Sequence, residues 1–244
     1  LVTGRFDGIA AFGEGAQQVT LDAGIGSDLF VAKYDSSGTL LWVKTAGGPD
    51  TATASSFDIA SLRDGGMVLT GAFQGAVTFG TGAGQVTLTD SGAQDVFVAK
   101  YLADGSLAWA KKAGGSLSDR GYSLSTFADG NLIVTGQFSG TAIFGEGPQQ
   151  ITLNSVAGTN DDFVAKYLAD GSLAWAKRMG SSHADLWLAN CVATSSDGTA
   201  VLTGFFSGTA TFGEGASQIA FTSRGVEDAF VTKYYCGPRS EERR

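Results

Sequence analysis

Short runs of alternating apolar and polar residues, broken by glycine-containing turns, extend along the whole chain. A period of two over such runs predicts β-strands and not helices. The stretch 121–180 can be read strand by strand. Tyr122–Phe127 alternates and ends at Ala-Asp-Gly, 128–130. Asp-Gly between two apolar runs signals a hairpin, because both turn positions favour φ > 0. Asn131–Phe138 is then a second strand and Phe163–Tyr167 a third. A further Asp-Gly turn at Asp170–Gly171 leads to Leu173–Lys177 as a fourth. Between the second and third lies an inserted segment, Gly140–Asp161, with β-like pieces at Ala142–Phe144 and Gln150–Leu153. It is expected to form an extra hairpin projecting from one edge or end of the unit.

The same pattern recurs. Phe-Val-(Ala/Thr)-Lys-Tyr stands at Phe30–Tyr34, Phe97–Tyr101, Phe163–Tyr167 and Phe230–Tyr234, at offsets of 67, 66 and 67. Thr-Gly-x-Phe-x-Gly-x-x-x-Phe-Gly stands at Thr3–Gly13, Thr70–Gly80, Thr135–Gly145 and Thr203–Gly213. Trp42, Trp109 and Trp175 each follow the first landmark at a fixed distance, and Phe97–Lys111 is identical to Phe163–Lys177. Fixed-period self-similarity marks a repeat architecture. The units run roughly 1–48, 49–115, 116–180 and 181–235, followed by a non-repeat tail, 236–244. Four antiparallel strands and an inserted hairpin per unit of about 67 residues predict an all-β fold, a β-propeller. A β-helix has much shorter coils, and separate sandwiches need about 100 residues each. Leu1 falls inside a second strand, and the pattern is lost after Tyr234. The units therefore make either a four-bladed ring or part of a larger one.

Composition supports strands. Gly is 36 of 244 residues and Pro only 3, which favours tight turns over collagen or disorder, and only 16% of residues are charged. The net charge of −8, with 16 basic residues spread along the chain, argues against a nucleic-acid partner. No apolar run reaches the ~18 residues of a membrane span. With one histidine, His183, a multi-His metal centre is impossible within one chain. No Gly-x-Ser-x-Gly elbow or phosphate-binding loop is present, and Gly-Glu-Gly at 13–15, 145–147 and 213–215 belongs to the inserted hairpin. No catalytic residue, metal or cofactor is therefore expected. The enzyme class left open is one acting on polysaccharide through a carboxylate pair.

The repeated polar residues have structural readings. Asp28, Asp95, Asp161 and Asp228 each stand two positions before the repeated Phe, where a carboxylate can cap backbone N–H groups at a strand start. Lys33, Lys100, Lys166 and Lys233 are expected along the outer edge with their heads in water. The repeated Trp side chains are expected between units, with sugar stacking as the alternative. Trp187 and His183 lie in an out-of-phase stretch, Ser181–Asn190. They are the candidate ligand-binding residues, because a non-repeated side chain on a repeat scaffold suits a specific contact. Cys191 is expected as a buried free thiol, and a disulfide with Cys236 is left open.

The run Asp-x-Phe-Val-Ala-Lys-Tyr-x-x-Asp-Gly-Ser-Leu-x-Trp, then Gly-Gly at 47–48 and 114–115, then Asp-Gly-Asn-Leu-Ile-Val-Thr-Gly at 129–136, resembles the bacterial β-propeller repeat family often called SBBP. The resemblance covers the chain to Tyr235. It implies a secreted or cell-surface bacterial protein. The expected function is a non-catalytic binding or adhesion module whose loops meet a protein or glycan. The alternative is a structural repeat that self-assembles, with self-association completing a ring.

Overall fold

The computed structural model describes residues 1–49, 51–156, 160–181, 191–213 and 218–236. Apart from three 3-10 turns, the regular structure among them is strand, and no helix there is long and apolar enough to cross a membrane. The first unit contributes β1 (Val2–Phe12), β2 (Val19–Tyr34) and β3 (Leu40–Ala46). The second contributes β4 (Thr53–Ser61), β5 (Met67–Gln74), β6 (Ala76–Phe79), β7 (Val86–Thr89), β8 (Asp95–Tyr101) and β9 (Leu107–Gly115). The third contributes β10 (Arg120–Thr126), β11 (Leu132–Ser139), β12 (Thr141–Phe144), β13 (Ile151–Asn154), β14 (Asn160–Tyr167) and β15 (Leu173–Ser181). The fourth contributes β16 (Cys191–Thr194), β17 (Thr199–Phe206), β18 (Thr209–Phe212), β19 (Ile219–Thr222) and β20 (Asp228–Tyr235).

Within a unit the strands pair antiparallel in chain order, β4-β5-β8-β9, β10-β11-β14-β15 and β16-β17-β20. The Asp-Gly turns between first and second strands, and between third and fourth, carry Gly65, Gly105, Gly130, Gly171 and Gly198 at φ near +80°. Each turn is closed by its Asp: Asp104 Oδ1 accepts from Ser106 N at 2.9 Å and Asp129 Oδ1 from Asn131 N at 3.0 Å.

The inserted hairpin does something local sequence does not reveal. It leaves its own sheet and adds two strands to the sheet of the preceding unit. β12 pairs with β9 through Ala142↔Gly115, Ile143↔Gly114 and Phe144↔Ala113, and β18 pairs with β15. The bridge Gly47↔Thr78 makes the same link from the second unit to the first. The hairpin also stays packed on its own third strand, with Phe79 over Phe97, Phe144 over Phe163 and Phe212 over Phe230. In the first unit the corresponding strands run on from the sheet itself, so β1 and β2 form one long ladder with an irregularity between Asp7 and Ile9.

Successive sheets pack face to face, and the interfaces hold the cores. Leu29 and Val31 of the first unit meet Leu69, Phe97 and Tyr101 of the second. Val96 and Val98 of the second meet Val134, Phe163 and Tyr167 of the third, and Val164 of the third meets Leu202 and Phe230 of the fourth. Both faces of the central sheets are covered, which explains why their strands read as near-continuous apolar runs. Each such side chain removed from water contributes about 1.5–3 kcal/mol.

The first strands of successive units lie side by side. Asp58 Oδ2 accepts from Leu124 N at 2.8 Å and Ser123 Oγ at 3.0 Å, and Val192 N donates to Ser123 Oγ at 3.4 Å. Cys191 is a free, exposed thiol at the start of β16, not a buried one. Its counterpart Ser123 is covered by the next unit's first strand, whereas among the described residues nothing takes that place over Cys191. Cys236 is free and buried.

Candidate functional site

The antiparallel order puts both kinds of Asp-Gly turn, and the hairpin tips, at one end of the sheets. The links between units and the two crossings of each inserted hairpin lie at the other end, referred to below as the loop rim. Backbone bonds tie the crossings together there: Asp90 N to Gly75 O, Ser155 N to Gly140 O and Ser223 N to Gly208 O, at 3.3, 2.8 and 2.8 Å. Asp119 N donates to Gln94 O at 2.7 Å, joining the second unit's return loop to the link toward the third.

Under this rim lies a row of buried carboxylates. Two of the repeated Asp side chains accept N–H groups from the loop that ends the inserted hairpin, Val156 N to Asp161 Oδ2 and Arg224 N to Asp228 Oδ2, each at 3.0 Å. Asp28, Asp95 and Asp161 face the fourth strand of their sheets, where the opposing residue changes. Thr45 bonds Asp28 at 3.3 Å, Lys112 Nζ is 3.6 Å from Asp95, and Arg178 pairs with Asp161 at 2.8 Å. Gly47, Gly114 and Gly180 lie where a Cβ would run into Asp28, Asp95 and Asp161. The recurrence of Asp and the recurrence of Gly thus have one cause, a carboxylate filling the space of a missing side chain.

Asp119 joins this row between the second and third units. It accepts from Gly115 N at 2.8 Å and from Ser139 N at 3.0 Å, and so bridges two sheets. Burial pushes its carboxyl up to about 7, against the pull of those two N–H groups, with Asp95 adding a smaller upward push. Burial likewise raises Asp95, offset in part by Lys112, and raises Asp28, offset in part by Thr45. Asp95 and Asp119 both reach the space above Gly114. They form a close carboxylate pair. Both are buried, at 0% and 1% exposure, so neither is presented to a polysaccharide.

Other repeated residues are also occupied by structure. Trp42 and Trp109 stack over the turn glycines Gly105 and Gly171 of the following unit, and their Nε1 groups donate to Ala103 O at 3.3 Å and Ala169 O at 3.2 Å. Each of those two indoles thus has part of its surface taken up by the next unit's turn. Trp175 is partly buried in the core between third and fourth units. The repeated lysines do not stand free along an edge. Lys33 reaches Gly65 O and Ala103 O, Lys166 reaches Cys236 O, Lys100 lies 3.8 Å from Asp64, and Lys233 pairs with Asp197 at 3.0 Å. Each ammonium can satisfy a turn that lies within the span of its four-carbon stem. Trp187 and His183 lie outside the described residues.

Beside polar residues such as Ser91, Ser116, Arg224 and Glu227, the loop rim exposes apolar side chains. Ile25, in the stretch of β2 opposite the irregularity between Asp7 and Ile9, is 87% exposed, and Val226, in the fourth unit's return loop, is 85% exposed. Leu117, in the link between second and third units, and Val156, in the third unit's return loop, are exposed as well. The sequence reading missed all four, because single apolar residues between turn and polar residues carry no periodic signal.

No family model matches the sequence. Over 92% of its length the chain is 25% identical to an uncharacterized WD repeat-containing protein of Acanthamoeba polyphaga mimivirus. Over 46% of its length it is 34% identical to the regulatory protein FlaEY of Caulobacter vibrioides. The chain spans 20% and 11% of the lengths of these two curated relatives.

Proposed function

We propose that the chain forms part of a β-propeller that binds a protein partner through its loop rim, without catalysis. The observation that carries the binding reading is the exposed apolar set Ile25, Leu117, Val156 and Val226, drawn from the first, third and fourth units at one end of the sheets. Exposed apolar side chains on scaffolded loops suit a protein surface. The propeller reading is supported by consecutive antiparallel sheets stacked face to face with their first strands adjacent. It is also supported by the WD-repeat relative, since WD repeats build propeller blades. The blades resemble the SBBP type, and a secreted or cell-surface location rests on that resemblance alone. Surface proteolysis of intact source cells would test the location.

Panning a displayed random-peptide library on the purified chain tests the binding role. The expected result is a set of peptides whose binding falls at least tenfold with Ile25→Asp or Val226→Asp, with the melting temperature unchanged. Peptides that bind the Asp variants as well as the wild type would overturn it, as would turnover of a polysaccharide panel by the wild-type chain.

A further inference from the structure

One cavity recurs at the turn end of the sheets, opposite the loop rim. In the third unit the tip of the inserted hairpin and the turn between β14 and β15 surround about 240 Å³, with Glu146, Gln149, Tyr167, Asp170 and Leu173 in its wall. In the first unit the residues at the matching positions, Glu14, Gln17, Tyr34, Ser37 and Leu40, line a cavity of about 610 Å³. Both tips are 3-10 turns, Gly15–Gln17 and Gly147–Gln149. They close down on the leucine because Gly13 and Gly145 precede them, where a Cβ would stand 3.0 Å from Leu40 or Leu173. The cavity is thus made by the repeat itself. In the second unit Thr81 and Gly84 stand where the glutamate and glutamine would be.

The floor of the third unit's cavity is formed by buried Tyr167 and Leu173, and Glu146, Gln149 and Asp170 make an exposed polar rim. Glu146 Oε2 accepts from Lys111 Nζ at 2.7 Å, so these two charges offset each other at the opening. Among the described residues, Glu146 Oε1 and the Gln149 amide make no hydrogen bond within the protein, and neither do the side chains of Glu14 and Gln17. A carboxylate oxygen accepts, an ammonium donates and a primary amide does both. Such a set matches hydroxyl groups, which also donate and accept, better than it matches an ion of either sign. The smaller cavity lies below the ~300–1,000 Å³ of pockets for drug-sized ligands. It suits one small ring with a C–H face against the leucine.

We propose that these two cavities bind neutral sugar rings, held by Glu146 and Gln149 in the third unit and by Glu14 and Gln17 in the first. The sites lie at the other end of the sheets from the loop rim. This proposal and the protein-binding one can therefore fail independently.

Amide chemical shifts of the isotope-labelled whole chain, titrated with glucose, galactose and mannose past ~10 mM, test this. At least one of the three should move amides at 13–17 and 37–39 and at 145–149 and 170–172, while those at 80–84 stay unmoved. Glu146→Ala with Gln149→Ala should weaken binding at least fivefold in the third unit and leave the first unit's response intact. Glu14→Ala with Gln17→Ala should do the converse, so the untouched cavity reports that each variant is folded. Sodium phosphate and arginine hydrochloride serve as the anion and cation controls. The proposal is overturned if no sugar moves either set of amides, or if the double variants respond like the wild type. It fails equally if either salt moves those amides as strongly as the sugars do.

Discussion

Trp109 lies over Gly171, with its Nε1 bonded to Ala169 O at 3.2 Å, so an indole on one sheet clamps the turn of the next. A Cβ on Gly171 would come within 2.8 Å of the indole, and the residue has φ +85°. Gly171→Ala should therefore destabilise by about 2–4 kcal/mol, combining left-handed strain with overpacking. Gly198 has φ +78° and open space around it, so Gly198→Ala should show only the strain, about 1–2 kcal/mol. Urea titration of both variants separates the two contributions, and equal losses would refute the clamp.

The Asp28–Gly47 relationship makes a second prediction. Gly47→Ala should cost about 1–3 kcal/mol, because its Cβ and the Asp28 carboxylate would occupy the same space. Asp28→Ala vacates that space, so the double variant should be more stable than the sum of the single losses implies. A double-mutant cycle with a coupling near zero would show that the two positions do not compete.

Stability should respond to pH through Asp119. Its folded-state pKa of about 7 stands above the ordinary carboxylate value of 3.8. Between those two values the folded protein holds a proton that the unfolded chain releases, so stability falls as pH rises through that window. Below it both states are protonated and the contribution is constant. Asp119→Asn should flatten the slope of urea-derived stability against pH between about 4 and 7. Some slope should remain, since Asp28 and Asp95 are shifted in the same direction. An unchanged slope would mean that Asp119 does not titrate there.

Arg178 and Asp161 form the most enclosed ion pair of the row, with the Asp side chain fully buried. Arg178→Met leaves that carboxylate without its cation and should cost about 3 kcal/mol. Adding Asp161→Asn removes the charge and should recover part of the loss. Thermal melts of the two variants decide the matter, and a double variant no better than the single would count against the pair.

Most of the strand pattern was legible in the chain, because hairpins are local. The Asp-Gly turn at 129–130 lies between Arg120–Thr126 and Leu132–Ser139, close to the predicted strands. The turn at 170–171 and both pieces of the inserted hairpin also fall near their predicted places. The transfer of that hairpin to the preceding sheet was not legible. Ala142 and Gly115 pair across units, and nothing near either residue specifies the partner. The expected capping of backbone N–H groups is present at two of the four repeated Asp, Asp161 and Asp228, through Val156 N and Arg224 N. The changing partner of the repeated Asp, Thr45, Lys112 or Arg178, appears only once the fourth strand is aligned beside it. Exposure misled in the other direction. Cys191 reads as a core position by phase, yet phase does not report whether another sheet follows.

The exchange of inserted hairpins changes what can be removed from the molecule. The stretch that repeats in the chain is not the stretch that completes a sheet, since β9 and β15 each rely on strands encoded in the following unit. Deleting one repeat would therefore strip strands from its neighbour as well as its own. The units are linked like overlapping shingles, and the stack should unfold as one cooperative body instead of shedding repeats singly from an end.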